Sequence, residues 1–265
     1  MDERLQQAEL DALWRYDDPI ASAERFAIAA AEPDRSELVR AELETQRARA
    51  FGLQGRFAEA EALLDSLEPA IGPLAVRILL ERGRLRNTAG RPEEAVPLFE
   101  DALVAARRDG DAFLAVDAAH MLAIADPLRS EQWTAEGLAD LQTASDPRTQ
   151  RWGVTLHNNR GWACFDAGDV LSALGEFEAA LEAAEHYGTL DQQFAAQWSL
   201  ARCLREAGLW QEALAIQQRL AAERQGEEDV ESELAALAEV QARVRDTAFE
   251  AARTPATEAA PTIEP

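Results

Sequence analysis

The sequence predicts an all-α protein, a repeat array of about six helical hairpins closed by a C-terminal helix. Three observations carry that expectation. A short phrase recurs at 55–60, 90–95, 168–173 and 208–213, each copy with Gly first, an apolar residue or proline two places on, and Ala five places on. Seven residues before each Gly stands another small residue: Ala48, Gly83, Gly161 and Ala201. Apolar residues recur at three- and four-residue spacing almost throughout, and no alternating stretch is long enough for a strand. Self-similarity at this period marks an array whose units bury their apolar faces only against one another.

Turn chemistry sets the boundaries. Asp17-Asp18-Pro19, Glu32-Pro33-Asp34, Gly72-Pro73, Asp126-Pro127, Asp146-Pro147 and Tyr187-Gly188-Thr189 cut the apolar pattern into segments of about 12–20 residues, an ordinary helix length. The hairpins read at 2–32, 35–70, 73–108, 111–145, 148–187 and 190–225, with a final helix at 228–252. Together they make one repeat domain over 1–252. The tail at 253–265, with its Ala, Thr, Pro and Glu, has little to bury and is expected to be disordered.

Each residue of the phrase has a mechanical reason. The early small residue lets the two helices of a hairpin approach closely. The Gly ahead of the second helix suits a turn with a left-handed backbone, which costs Gly little. The Ala five places later faces the first helix, where a larger side chain would overpack. Beyond it lie the packing pairs Leu64/Leu67, Phe99/Ala102, Phe177/Ala180 and Gln217/Leu220. Pro92 opens its helix acceptably, whereas Pro97 lies inside it and is expected to bend the first turns. On the final helix Leu234, Leu237, Val240, Val244 and Phe249 either cover the last hairpin, as end repeats must, or, left exposed, join two copies as a homodimer.

Composition narrows the function. A formal charge of -23 over 265 residues disfavours nucleic acid and anionic membrane surfaces, both of which need clustered cations. All 26 cationic side chains are Arg, with no Lys. Cys164 and Cys203 stand in neighbouring repeats and read as small buried hydrophobes of a reducing compartment. The acidic, helical start is unlike a signal peptide, and no apolar run nears the ~20 residues that span a bilayer, so a soluble, cytoplasmic protein is expected. His120, His157 and His186 are too far apart in sequence for metal spacing, and neither a phosphate loop nor a nucleophile motif occurs. The expectation is a non-enzyme with no cofactor, no metal and no catalytic residue.

The recurring positions resemble those of the tetratricopeptide repeat family, specifically in four hairpins and degenerately at 2–32 and 111–145, where Trp133 and Leu138 replace the usual pattern. Matched Ala residues stand 35 apart from Ala60 to Ala95 and 40 apart from Ala173 to Ala213. Both exceed the family's period of about 34, so some helices should run about a turn long. The resemblance implies a right-handed α-solenoid whose first helices line a concave face and whose second helices lie outside. It implies that the residue after each early small position points into that groove: Arg49, Arg84, Trp162 and Arg202, with His120 following Ala119 in the degenerate hairpin. One turn earlier lie Thr45, Leu80, Asn158 and Trp198, and about one turn later Asn87, Phe165 and Arg205. Asn159 matches the asparagine helix of repeats that clamp a C-terminal carboxylate. Ala195 and Ser199 stand where that clamp has cations, which argues against a chaperone co-factor.

Two readings of this face stay open. In one, Arg49, Arg84, Asn87, His120, Asn158, Trp162, Trp198, Arg202 and Arg205 form a groove for an acidic or carboxylate-ended peptide, since Arg with Trp is the composition of binding hot spots. In the other, the arginines pair with carboxylates of adjacent helices and the tryptophans pack between repeats. The groove reading expects Arg84→Glu or Arg202→Glu to weaken partner capture without loss of stability. A protein-binding scaffold or adaptor follows. A sensor of a peptide or small ligand, with a compact pocket around His120, Trp162 and Trp198, or a self-assembling scaffold are the rivals.

Overall fold

The computed structural model describes residue 5 and residues 7–253, with side chains through residue 247. The described residues are all-helical, with no strand among them. In order come α1 (Gln7–Leu13) and α2 (Pro19–Ala30), α3 (Glu37–Leu53) and α4 (Phe57–Asp65), α5 (Pro73–Thr88) and α6 (Pro92–Arg108), then α7 (Ala112–Ala125) and α8 (Ser130–Gln142) with a 3₁₀ turn, Pro127–Arg129, between them. There follow α9 (Pro147–Gln150), α10 (Trp152–Asp166), α11 (Val170–Tyr187), α12 (Leu190–Glu206), α13 (Trp210–Glu223) and α14 (Glu228–Arg253). The tail beyond Arg253 and the side chain of Phe249 lie outside the described residues. Two compact units divide at Leu156/His157, inside α10.

The recurring phrase packs as its chemistry requires. Gly55, Gly90, Gly168 and Gly208 have φ of 74, 74, 79 and 82°, the left-handed turn that a side chain would strain. Ala60, Ala95, Ala173 and Ala213 are fully buried. A Cβ on Gly83 would come within 2.4 Å of the Phe99 ring, and one on Gly161 within 2.7 Å of Phe177, so the bare backbone admits the ring at both positions. Proline opens α2, α5, α6 and α9, where its missing N–H costs nothing. Helix α6 runs on through Pro97, giving up one internal hydrogen bond.

In the first unit α2, α3, α5, α6, α7 and α8 pack in succession around Phe26, Leu43, Phe51, Phe99, Leu114 and Leu122. In the second, α11 to α14 pack in succession around Phe177, Cys203, Ala213 and Leu237. Helix α14 buries Val230, Glu233 and Leu237 on the face toward α13. The expected boundaries shift in three places. The first helix is only seven residues. The hairpin expected at 148–187 begins with a separate turn, α9, capped by Asp146 and tied back by Gln150 to the carbonyls of Leu141 and Ala144. The hairpin expected at 111–145 carries the 3₁₀ turn that Pro127 opens.

Candidate functional site

Helix α5 sets Glu81 and Arg84 one turn apart, and α7 brings Asp117 opposite them. Arg84 donates to Glu81 at 2.6 Å and to Asp117, and all three side chains are buried. Burial pushes the Asp117 carboxyl up, but Arg84 and Arg49 outweigh it and hold it below the usual carboxylate range. Burial leaves Glu81 raised. His120, one turn after Asp117, tilts against Trp152 at 5.2 Å, and its buried Nδ1 has no hydrogen-bond partner. Burial drives its pKa from 6.5 to about 4, so the imidazole is neutral at pH 7. Arg49 covers the Trp14 ring at 5.5 Å, and Asn87 is half-buried near the end of α5. Arg49, Arg84 and His120 therefore do meet, around an internal ion cluster. Arg84→Glu would put three carboxylates together in that cluster, so the expectation that it spares stability does not hold.

The second unit gathers the other predicted residues. Arg205 grips Glu233 of α14 with two hydrogen bonds, at 2.8 and 3.2 Å, and Arg202 pairs with the same carboxylate at 3.0 Å. Arg202 also covers the Phe165 ring at 5.0 Å. Trp162 meets Phe177 and Phe165 edge-on at 5.0 and 5.3 Å and tilts against Trp198 at 5.9 Å. Asn158 accepts a hydrogen bond from Ser199 at 3.0 Å. These arginines spend their charge on a carboxylate of the chain itself, and these tryptophans pack on neighbouring rings.

A cavity of about 880 Å³ opens in the first unit, lined by the first turns of α3, α5, α7 and α9. Glu42, Arg77, Asp111, Phe113 and Arg148 form its chemical wall. One Glu42 oxygen takes both guanidiniums, Arg77 at 2.5 Å and Arg148 at 3.4 Å. The same two guanidiniums lie over the Phe113 ring, 5.9 and 4.0 Å from its centre. Asp111 and Asp146 spend their carboxylates on the N-terminal amides of α7 and α9, and Arg108 pairs with Asp109. Arg77, Arg148 and Glu42 carry one net positive charge among themselves, and Asp111, on the same wall, acts on Arg148 as a further anion. Burial, and after it the charge of Arg77, lowers the Arg148 pKa. The volume falls within the range of ligand pockets, roughly 300–1,000 Å³.

Sequence reasoning missed this wall, although a signal existed. Glu42, Arg77 and Phe113 stand seven residues before Arg49, Arg84 and His120. Seven residues is about two helical turns, so each lies on the same helix face as the predicted position. Among the described residues no His, Cys, Asp or Glu cluster is placed to hold a metal, and no helix is long and apolar enough to cross a membrane.

No protein-family model and no curated protein matches the chain. Among solved structures, the crystal structure of BtubC (BKLC) from P. vanneervenii is similar, with a TM-score of 0.57 and 20% sequence identity over 95% of this chain and 99% of that one. At that identity the likeness speaks to the fold alone.

Proposed function

We propose that this chain is a non-catalytic binding protein of tetratricopeptide-like solenoid architecture, working as a cytoplasmic scaffold or adaptor. It holds an acidic peptide segment of a partner protein in the cavity of the first unit. One observation supports the reading above the others: two guanidiniums share a single carboxylate oxygen beside Phe113, on the wall of a ligand-sized cavity. A second carboxylate entering there would complete charge-assisted, fork-shaped hydrogen bonds that Glu42 alone leaves unmade. The cavity also shifts the anchor away from Arg84, paired with Glu81 and Asp117, and from Arg202 and Arg205, which together meet Glu233 and Glu206.

Selection from a random displayed peptide library tests the proposal. Enriched peptides should carry Asp, Glu or a free C-terminus at a fixed position. Arg77→Gln/Arg148→Gln, which removes both guanidiniums without gathering three carboxylates around Glu42, should weaken them by about tenfold or more, the loss typical of a charged hydrogen-bond partner removed. A library that yields no binder, or binders indifferent to the double change, would sink it.

A further inference from the structure

Helix α1 is short, yet its side chains reach across the first unit. Gln7 accepts a hydrogen bond from Arg148 at 3.1 Å, Asp11 pairs with Arg151, and Glu9 pairs with Arg35. Leu5, Leu10 and Trp14 are buried in one core with Val39 and Leu43 of α3 and with Ile78 and Leu85 of α5. Trp14 donates to Gln46 at 3.2 Å and lies beneath Arg49. The segment 5–14 is therefore an acidic amphipathic strap. Its apolar side chains join the core shared by α2, α3, α4 and α5, and its polar ones meet arginines on remote elements, one of them the cavity residue Arg148.

We infer that segment 5–14 is a resident, displaceable competitor for the proposed binding site, which it meets through Arg148 although none of its own residues lines the cavity. The partner this site takes is then an acidic amphipathic segment of the same design. The inference rests on the proposed function and names its ligand class. Two features make the resident displaceable. At Arg148 it offers only the neutral amide oxygen of Gln7, so a competitor with a carboxylate there gains a charge-assisted bond that the strap lacks. Its ion pairs are also of the partly exposed kind that contributes little individually. What holds it is the burial of Leu5, Leu10 and Trp14 together with covalent attachment: residues 14–18 link α1 to α2, and so short a tether gives an effective concentration of order millimolar. The strap sets a threshold that a partner must exceed.

The test uses the full chain and a fluorescein-labelled synthetic peptide of residues 1–14. Leu10→Asp/Asp11→Arg should detach the strap and bind this probe about tenfold or more tighter than wild type, because the competing closed state is removed. A probe with Gln7→Glu should bind tighter still, and one with Glu9→Arg/Asp11→Arg should not bind. In wild type, the amides of α1 should exchange with solvent by a local opening, well before those of α3 and α5. A detached chain of native helicity that ignores the probe overturns the inference. So does exchange of α1 only with the global core, which also decides the matter should the variant fail to fold. If library peptides bind through Arg148 but the 1–14 probe never does, the strap fails alone. If the probe binds and no foreign peptide competes, the partner reading fails alone.

Discussion

At the scale of single residues, the buried charges around His120 set a pH dependence. The ring faces Asp117 on its own helix, Arg84 on α5 and Arg49 on α3, and its pKa lies near 4 against 6.5 in the unfolded chain. Between those values the unfolded state binds the proton and the folded state does not, so stability rises with pH there and is lost as pH falls from about 6.5 toward 4. The span corresponds to roughly 3 kcal/mol at full effect. Asp117, held low, adds loss at still more acid pH, whereas Glu81, held high, acts in the opposite sense by losing stability as pH rises through its own range. Comparing wild type with His120→Gln isolates the imidazole, because both carboxyls remain. Urea titrations at pH 7 and pH 5 should show wild type losing clearly more stability than the variant. Parallel losses would mean that His120 takes up its proton in the folded state as easily as in the unfolded one.

At the scale of elements, the hairpins were legible in the sequence because one packing solution repeats. Where the first helix bears Gly, at Gly83 and Gly161, the second bears Phe four residues after its Ala, at Phe99 and Phe177. Where the first bears Ala, at Ala48 and Ala201, the second bears Leu64 and Gln217. Gln217 is the exception: it is fully buried, and neither amide atom has a hydrogen-bond partner. Gln217→Leu, which copies the Ala48/Leu64 solution, should stabilise the protein by about 1–3 kcal/mol by removing an unpaired buried amide. A thermal or urea midpoint that is unchanged or lower would show that the amide has a partner, such as a buried water. Gln217→Phe is a poorer choice, since Ala201 already has the Cβ that Gly83 and Gly161 lack. The candidate site was far less legible. The mechanical positions announce themselves by small size, whereas Arg77, Phe113 and Arg148 matter only because three helix starts and a separate turn converge, and α9 carries no trace of the phrase. The strap was hidden for a related reason: its partners, Arg35, Arg148 and Arg151, are up to 141 residues away.

At the scale of the whole molecule, the surplus of anions decides how salt acts. The chain carries 49 carboxylates against 26 guanidiniums. Many guanidiniums are already matched inside the fold, as Arg82 is with Asp65 and Glu68 and Arg107 with Glu136 and Asp140. Screening weakens both these attractions and the repulsion among the remaining carboxylates. Exposed pairs contribute only ~0–1 kcal/mol each, whereas a net charge of -23 repels itself throughout the compact state. The repulsion therefore wins, and added salt should stabilise the fold. The proposed peptide capture should have the opposite sign, because it would rest on a few guanidiniums meeting a ligand carboxylate. Raising NaCl from about 50 to about 500 mM, which shortens the screening length to a few ångströms, should raise Tm while weakening a library-selected acidic peptide. A falling Tm would show that the internal ion pairs, and not the surplus carboxylates, govern stability. Binding that ignores salt would move recognition from the Arg77–Arg148 wall to an apolar surface.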